Sequence, residues 1–102
     1  MGKNEFAALS RRGRRISGKH LNLSFLRVPS IASSAFGFVV GKKVAASSTT
    51  RNRLRRRGYE ALRAHWESIP HPVLAAFYAK SGAGTVSYDA LQEEVASLIG
   101  RM

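Results

Sequence analysis

Cysteine is absent from this 102-residue sequence. That alone excludes a disulfide framework and a thiolate metal site. Acids are scarce, six against 17 lysines and arginines. His20, His65 and His71 lack metal-ligand spacing, and the basic half offers no carboxylate pair to anchor Mg²⁺. The serine-rich segments have no placed histidine base, so nucleophilic catalysis finds no support. No catalytic residue and no metal ligand is assigned. Nowhere do roughly 20 apolar residues run together, as a membrane-spanning helix requires. Residues 1–9 carry no apolar run of the secretory-signal kind. The expected location is the cytoplasm, with no membrane partner.

What the chain does contain is a globular quota of hydrophobic residues, 44%, enough for one shared core at this length. Residues 1–102 are expected to form a single domain. The charge is uneven. Fifteen of the 17 basic side chains lie in residues 1–63 against only Glu5 and Glu60, a balance of +13. Residues 64–102 hold Lys80 and Arg101 against Glu67, Asp89, Glu93 and Glu94, a balance of −2. So concentrated a positive field repels itself unless a polyanion neutralises it. Anionic membrane and nucleic acid both qualify. A membrane-surface helix carries a bulky apolar face, whereas segment 51–63 has only Leu54, Ala61 and Leu62. Nucleic acid is the better match.

The pattern of residues predicts the elements. Residues 4–12 read as a short helix capped by Asn4 and ended by Gly13. Ile16 begins a brief strand. Over 19–28, Leu21, Leu23 and Phe25 alternate with Asn22, Ser24 and Leu26, the period of a half-buried strand stopped by Pro29. Residues 30–35 read as a turn, and Phe36 to Val40 as a β-branched and aromatic strand ending at Gly41-Lys42-Lys43. Thr49 or Thr50 is placed to cap a helix from about Arg51 to Trp66, whose buried stripe is Leu54, Gly58, Ala61 and Leu62 with His65 or Trp66. Gly58 on that stripe implies close packing against a strand. Val73 to Ala79 is continuously apolar, the mark of a central strand covered on both faces. Residues 81–86 form a glycine-rich turn; Gly82 and Gly84 alone make a weak phosphate-loop signal. Ser87 caps a last helix with Leu91, Val95, Leu98 and Ile99 inside, ended by Gly100. The order is that of an α+β or α/β sandwich around one small sheet, with α+β the assigned class.

One constellation stands out: Gly41-Lys42-Lys43, seven residues, then Arg51-Asn52-Arg53-Leu54-Arg55-Arg56-Arg57. On the expected boundaries, five arginines crowd the first two turns of a helix. The macrodipole already makes that end positive. The arrangement makes sense when phosphate oxygens approach it. Asn52 adds a neutral donor and acceptor for a base edge or 2′-hydroxyl.

Gly-x-x-x-x-Lys-Lys, a short loop, then Arg-Asn-Arg-x-Arg-Arg resembles the bacterial ribonuclease P protein family. The likeness extends along the chain. Asn4 to Gly13 resembles the family's first helix, His20 to Leu26 its long strand and Phe36 to Lys43 the next. Val73 to Lys80 and Tyr88 to Ile99 are similar to its apolar strand and last helix. The resemblance implies an α-β-β-β-α-β-α order with a left-handed crossover in a mixed sheet. It also implies an RNA-binding subunit that assists a catalytic RNA, itself carrying Mg²⁺, in removing the 5′ leader from precursor tRNA. On this reading the protein is the non-catalytic part of an endoribonuclease and binds no cofactor. Its partners are ribonuclease P RNA and precursor tRNA. Arg51, Asn52, Arg53, Arg55 and Arg56 would hold the RNA subunit, bordered by Lys42 and Lys43. Leader-cleft candidates are Phe6, Ser10, Asn22, Ser24 and Phe38.

The sequence departs from the family at named points. Ser10 replaces the second phenylalanine of the first helix, Ser24 a strand aromatic and Tyr59 a further arginine, while the basic residues before the first helix reduce to Lys3. These changes thin the aromatic part of the cleft and leave its charge. Phe38 and Tyr78 also suit a core, and Trp66 reads as packing at the end of its helix. The alternative function is a stand-alone RNA- or DNA-binding module, ribosome-associated or groove-binding, without a role in tRNA processing. Segment 51–63 offers mainly Asn52 and charge, which favours phosphate contact over base readout.

Overall fold

Alternation of side chains along the long strand sets the layering of the whole molecule. In the computed structural model, which describes residues 2–29 and 33–102, the elements are α1 (Lys3–Arg12), β1 (Arg14–Ser17), β2 (Leu21–Arg27), β3 (Ala35–Val39), α2 (Ser48–Ala64), β4 (Val73–Ala79) and α3 (Tyr88–Gly100). Short 3-10 turns lie at Trp66–Ser68 and Ala83–Thr85. Residues 30–32 of the turn expected at 30–35 fall outside the described residues.

The α-β-β-β-α-β-α order is as the resemblance implied. The four strands form one mixed sheet in the order β1-β2-β4-β3. β4 runs antiparallel to β2 and parallel to β3, so its apolar run sits centrally as its composition requires. Leu21, Leu23, Phe25, Phe38, Val73, Ala75 and Phe77 point to one face. There they meet Leu54, Ala61 and Leu62 of α2 and Leu91, Val95, Leu98 and Ile99 of α3. The other face carries Leu74 and Ala76 beneath Leu9 of α1, with Phe6 and Leu26 alongside. Ser24, read as the polar side of a half-buried strand, is only 7% exposed because α1 covers part of that second face.

Two caps differ from the sequence reading. Gly2, not Asn4, caps α1; its N–H donates to Glu5 Oε1 at 2.7 Å, so the acid three residues into the helix supplies the partner. Ser47 caps α2, its Oγ accepting from the Thr50 N–H at 3.5 Å. Serine is the stronger cap type, and the buried Ala45 fixes the chain two residues before the cap. Ser87 caps α3 as expected, accepting from the Ala90 N–H at 3.1 Å.

The hairpin joining β1 to β2 is fixed by charge rather than by apolar packing. Glu94 Oε2 accepts from the His20 and Leu21 N–H groups at 2.7 and 2.6 Å. Lys80 Nζ donates to the Gly18 carbonyl at 3.0 Å, and Arg101 to the Ser17 carbonyl at 3.1 Å. The final helix thereby anchors the strand that borders the cleft described below.

Candidate nucleic-acid interface

Because α2 begins at Ser48, Arg51 is its fourth residue and the other arginines lie in later turns. The macrodipole acts within the first turn, so the expected crowding at the positive pole reduces to Arg51. That side chain is already engaged. Its Nη1 donates to the Ala45 and Ala46 carbonyls at 2.9 and 2.8 Å, latching the entry loop to the helix.

The remaining cations divide between two flanks. Successive helical residues are roughly 100° apart, and the buried stripe of Leu54, Gly58, Ala61 and Leu62 faces the sheet. On one flank Thr49, Asn52, Arg55, Arg56 and Tyr59 line an open groove of about 450 Å³. Asn52 Oδ1 accepts from Arg55 Nη1 at 3.2 Å, which orders the guanidinium against its neighbour. Arg53 and Arg57 are exposed on the opposite flank. Lys42 and Lys43 are exposed in the turn after β3.

Almost nothing in the protein neutralises these charges. Among the described residues, the one acid–base contact within 4.0 Å is His20 Nδ1 with Glu94 Oε1 at 3.2 Å. No lysine or arginine there pairs with a carboxylate. Unpaired guanidinium groups along a helix flank can take phosphate oxygens with bidentate geometry.

A second concavity lies on the α1 side of the sheet. Strand register sets Ser17 opposite Asn22 and Asn22 opposite Tyr78, with Arg15 opposite Ser24 and Ser24 opposite Ala76 in the next row. α1 packs on β2 and β4 and borders these rows through Ser10. Ser10, Arg15, Ser17, Asn22, Ser24 and Tyr78 line a cleft of about 560 Å³ there. The Ser17 hydroxyl donates to Asn22 Oδ1 at 3.0 Å across its floor. One cation, one aromatic ring and several hydroxyl and amide groups suit a single-stranded polyanion.

The model of the ribonuclease P family matches residues 1–102. The chain belongs to the ribonuclease P protein family. Two curated ribonuclease P protein components agree. The one from Clavibacter michiganensis is 33% identical over 95% of this chain and 85% of its own length. The one from Synechococcus is 34% identical, over 95% and 75%. Solved ribonuclease P proteins share the fold. That of Staphylococcus aureus has a TM-score of 0.88 at 16% identity, covering 99% of this chain and 91% of its own. That of Thermotoga maritima has 0.84 at 21%, covering 95% and 90%. These relatives favour the ribonucleoprotein reading over a stand-alone module.

Within this ribonuclease P fold the expected site residues sort unevenly. Asn52, Arg55 and Arg56 converge on one groove; Arg51 turns to its loop and Arg53 to the far flank. Of the cleft candidates, Ser10, Asn22 and Ser24 line the concavity. Phe6 lies on the same sheet face but stands over Gly37, where a Cβ would come 3.1 Å from its ring. Phe38 is misplaced in that set. It points to the α2 face, is 3% exposed and stacks on Phe77 at 6.1 Å. Alternation along β3 forces this, since Gly37 takes the α1 side and its neighbours take the other. Arg15, Ser17 and Tyr78 are the cleft residues missed from sequence. Their signal was parity: Tyr78 continues the Leu74, Ala76 side of β4.

Proposed function

We propose that this chain is the RNA-binding protein subunit of ribonuclease P, assisting the RNA subunit in removing the 5′ leader from precursor tRNA. The RNA subunit, with its Mg²⁺, performs the hydrolysis. The observation that carries this reading is a family match over residues 1–102 on a protein whose described cations lack carboxylate partners.

The two concavities then take different parts of the assembly. The flank with Asn52, Arg55 and Arg56 holds phosphates of the RNA subunit, with Lys42, Lys43, Arg51 and Arg53 adding to the field around it. The cleft lined by Ser10, Arg15, Asn22, Ser24 and Tyr78 receives the leader. Arg15 meets a phosphate, the hydroxyls and amide meet sugar and base edges, and Tyr78 offers one stacking face. Catalysis benefits through association. Two polyanions must come together, and a protein of net charge +11 lowers their repulsion without supplying a reacting group.

The test is cleavage of precursor tRNA by the cognate RNA subunit at low Mg²⁺, where charge screening by the metal is weakest. Adding the protein is expected to raise the rate, and more for long leaders than for one-nucleotide leaders. Cleavage unchanged by the protein at every Mg²⁺ concentration overturns the assignment.

A further inference from the structure

The two large apolar side chains most open to solvent among the described residues are Trp66, 43% exposed, and Tyr59, 36%. Tyr59 lies on the flank of α2 that carries Asn52 and Arg56, and Trp66 opens the 3-10 turn just beyond the end of α2. Trp66 was expected to pack at the end of its helix. It packs there against the ring of Phe36, 4.7 Å between centroids, while one face stays open to solvent. Tyr59, Trp66, Phe36, Leu62, Arg63 and Ser34 enclose an open slot of about 230 Å³.

This slot is ordered by a chain of hydrogen bonds. The Ser34 Oγ accepts from the Val73 N–H at 2.9 Å and lies 2.6 Å from His71 Nδ1. His71 Nε2 lies 3.2 Å from the Trp66 carbonyl, which can only accept, so Nε2 carries the donating proton; in the neutral ring Nδ1 then accepts from the serine hydroxyl. The fixed imidazole packs 5.1 Å from the Trp66 ring. On the other wall, the Tyr59 hydroxyl accepts from the Phe38 N–H at 3.2 Å. Both aromatic walls are therefore held before anything binds, which lowers the ordering cost of a ligand.

We infer that this slot is a stacking site for one unpaired base of the ribonuclease P RNA. The inference rests on the proposed subunit role. Charge selects the occupant: Arg63 stands at the rim, and neither nearby acid, Glu60 or Glu67, is among the lining residues. Continuity selects it again. Tyr59 is a shared wall between the slot and the groove of Asn52, Arg55 and Arg56. An RNA strand following the arginine groove toward the end of α2 arrives at the slot with its phosphates beside Arg63. Aromatic faces next to a cationic track are the usual construction for holding unpaired nucleotides.

Trp66 is the single tryptophan, so its fluorescence reports on this slot alone. The experiment titrates the cognate RNA subunit into the intact protein, following Trp66 emission and acrylamide access while filter retention measures binding. Emission and acrylamide access are both expected to fall as RNA binds. Trp66→Leu, which keeps an apolar cover on Phe36, is expected to weaken binding about tenfold, within the range for one stacked base. Its salt slope stays at the wild-type value, since no ionic contact is lost. RNA retained at full affinity by both proteins, with emission and access unchanged, overturns the slot and leaves the subunit role standing. Failure of the wild type to retain the RNA subunit at all overturns the subunit role itself. Emission that falls with protein concentration in the absence of RNA assigns the slot to a second copy and also overturns the inference. Were Trp66→Leu unable to fold, the wild-type emission and access would still decide.

Discussion

Gly58→Ala is expected to destabilise this protein, against the usual direction for a glycine inside a helix. Alanine normally gains about 1 kcal/mol there. At Gly58, however, a Cβ would stand 2.4, 2.5 and 2.6 Å from Cε2, Cδ2 and Cζ of Phe38. The ring has nowhere to go. Phe38 is 3% exposed, with Phe77 stacked on one side at 6.1 Å and Tyr59 packed at 6.4 Å. Ordinary carbon contacts need about 3.5–4.0 Å, so α2 would have to back away from the sheet by roughly 1 Å. That loosens Leu54, Ala61 and Leu62 together. Overpacking of this kind costs up to about 3 kcal/mol. Setting the propensity gain against it leaves a net loss of up to about 2 kcal/mol. For a domain of this size that is a fall of roughly 8 °C in Tm.

Urea denaturation followed by circular dichroism measures the loss, and two controls isolate its cause. Gly100→Ala adds a Cβ with nothing within 4 Å and is expected to be neutral or slightly stabilising. In a Phe38→Leu background the ring is gone, and Gly58→Ala should cost much less than in the wild type. A Gly58→Ala protein as stable as the wild type, or more so, would refute the close-approach reasoning.

Three further outcomes are expected. Replacing Arg55 and Arg56 with alanine should weaken binding of the RNA subunit and lower its salt slope by about one per lost phosphate contact, with stability held within about 0.5 kcal/mol; an unchanged slope counts against the groove. Arg51→Ala should cost about 1 kcal/mol of stability as well as affinity, because it removes the latch to the Ala45 and Ala46 carbonyls; a purely RNA-binding defect in thermal unfolding and filter assays counts against the latch. Glu94→Ala should lower stability by about 2 kcal/mol through loss of its bonds to the His20 and Leu21 N–H groups, and an unchanged unfolding midpoint would show that water replaces the carboxylate without cost.

Much of the fold was legible because its signals are periodic. The stripe of Leu54, Gly58, Ala61 and Leu62 is buried as its spacing requires, and even the reason for Gly58 could be read from its place on that stripe. The continuous run of β4 identified the central strand. The start of α2 was not legible, and the reason is chemical. Ser47, Ser48, Thr49 and Thr50 are all competent caps, so local preference leaves four choices, and burial of Ala45 decides. The cleft was half legible. Asn22 and Ser24 announce a polar face of β2, yet alternation along one strand does not say which remote strands pair with it. Only the register of β1 and β4 brings Arg15, Ser17 and Tyr78 beside them. Phe38 failed for the same reason: its parity is visible in sequence, but which layer its face meets is not.

Revising the start of α2 changes what the arginines mean. Crowding cations at a helix pole would have been an electrostatic strain relieved by an anion. Placed along the flank instead, Arg55, Arg56 and Arg63 cost the isolated protein little, because each is solvated and screened. A polyanion is called for by a deficit of acids rather than by strain. Glu5 and Glu94 spend their oxygens on backbone N–H groups, and no described lysine or arginine has a carboxylate within reach. A protein that evolved only to fold would gain from a few surface pairs along α2, each worth tenths of a kcal/mol. Omitting them keeps the guanidinium groups available to phosphate. Meanwhile Gly58 brings that helix against Phe38, so the groove and slot are mounted on a helix seated firmly on the core.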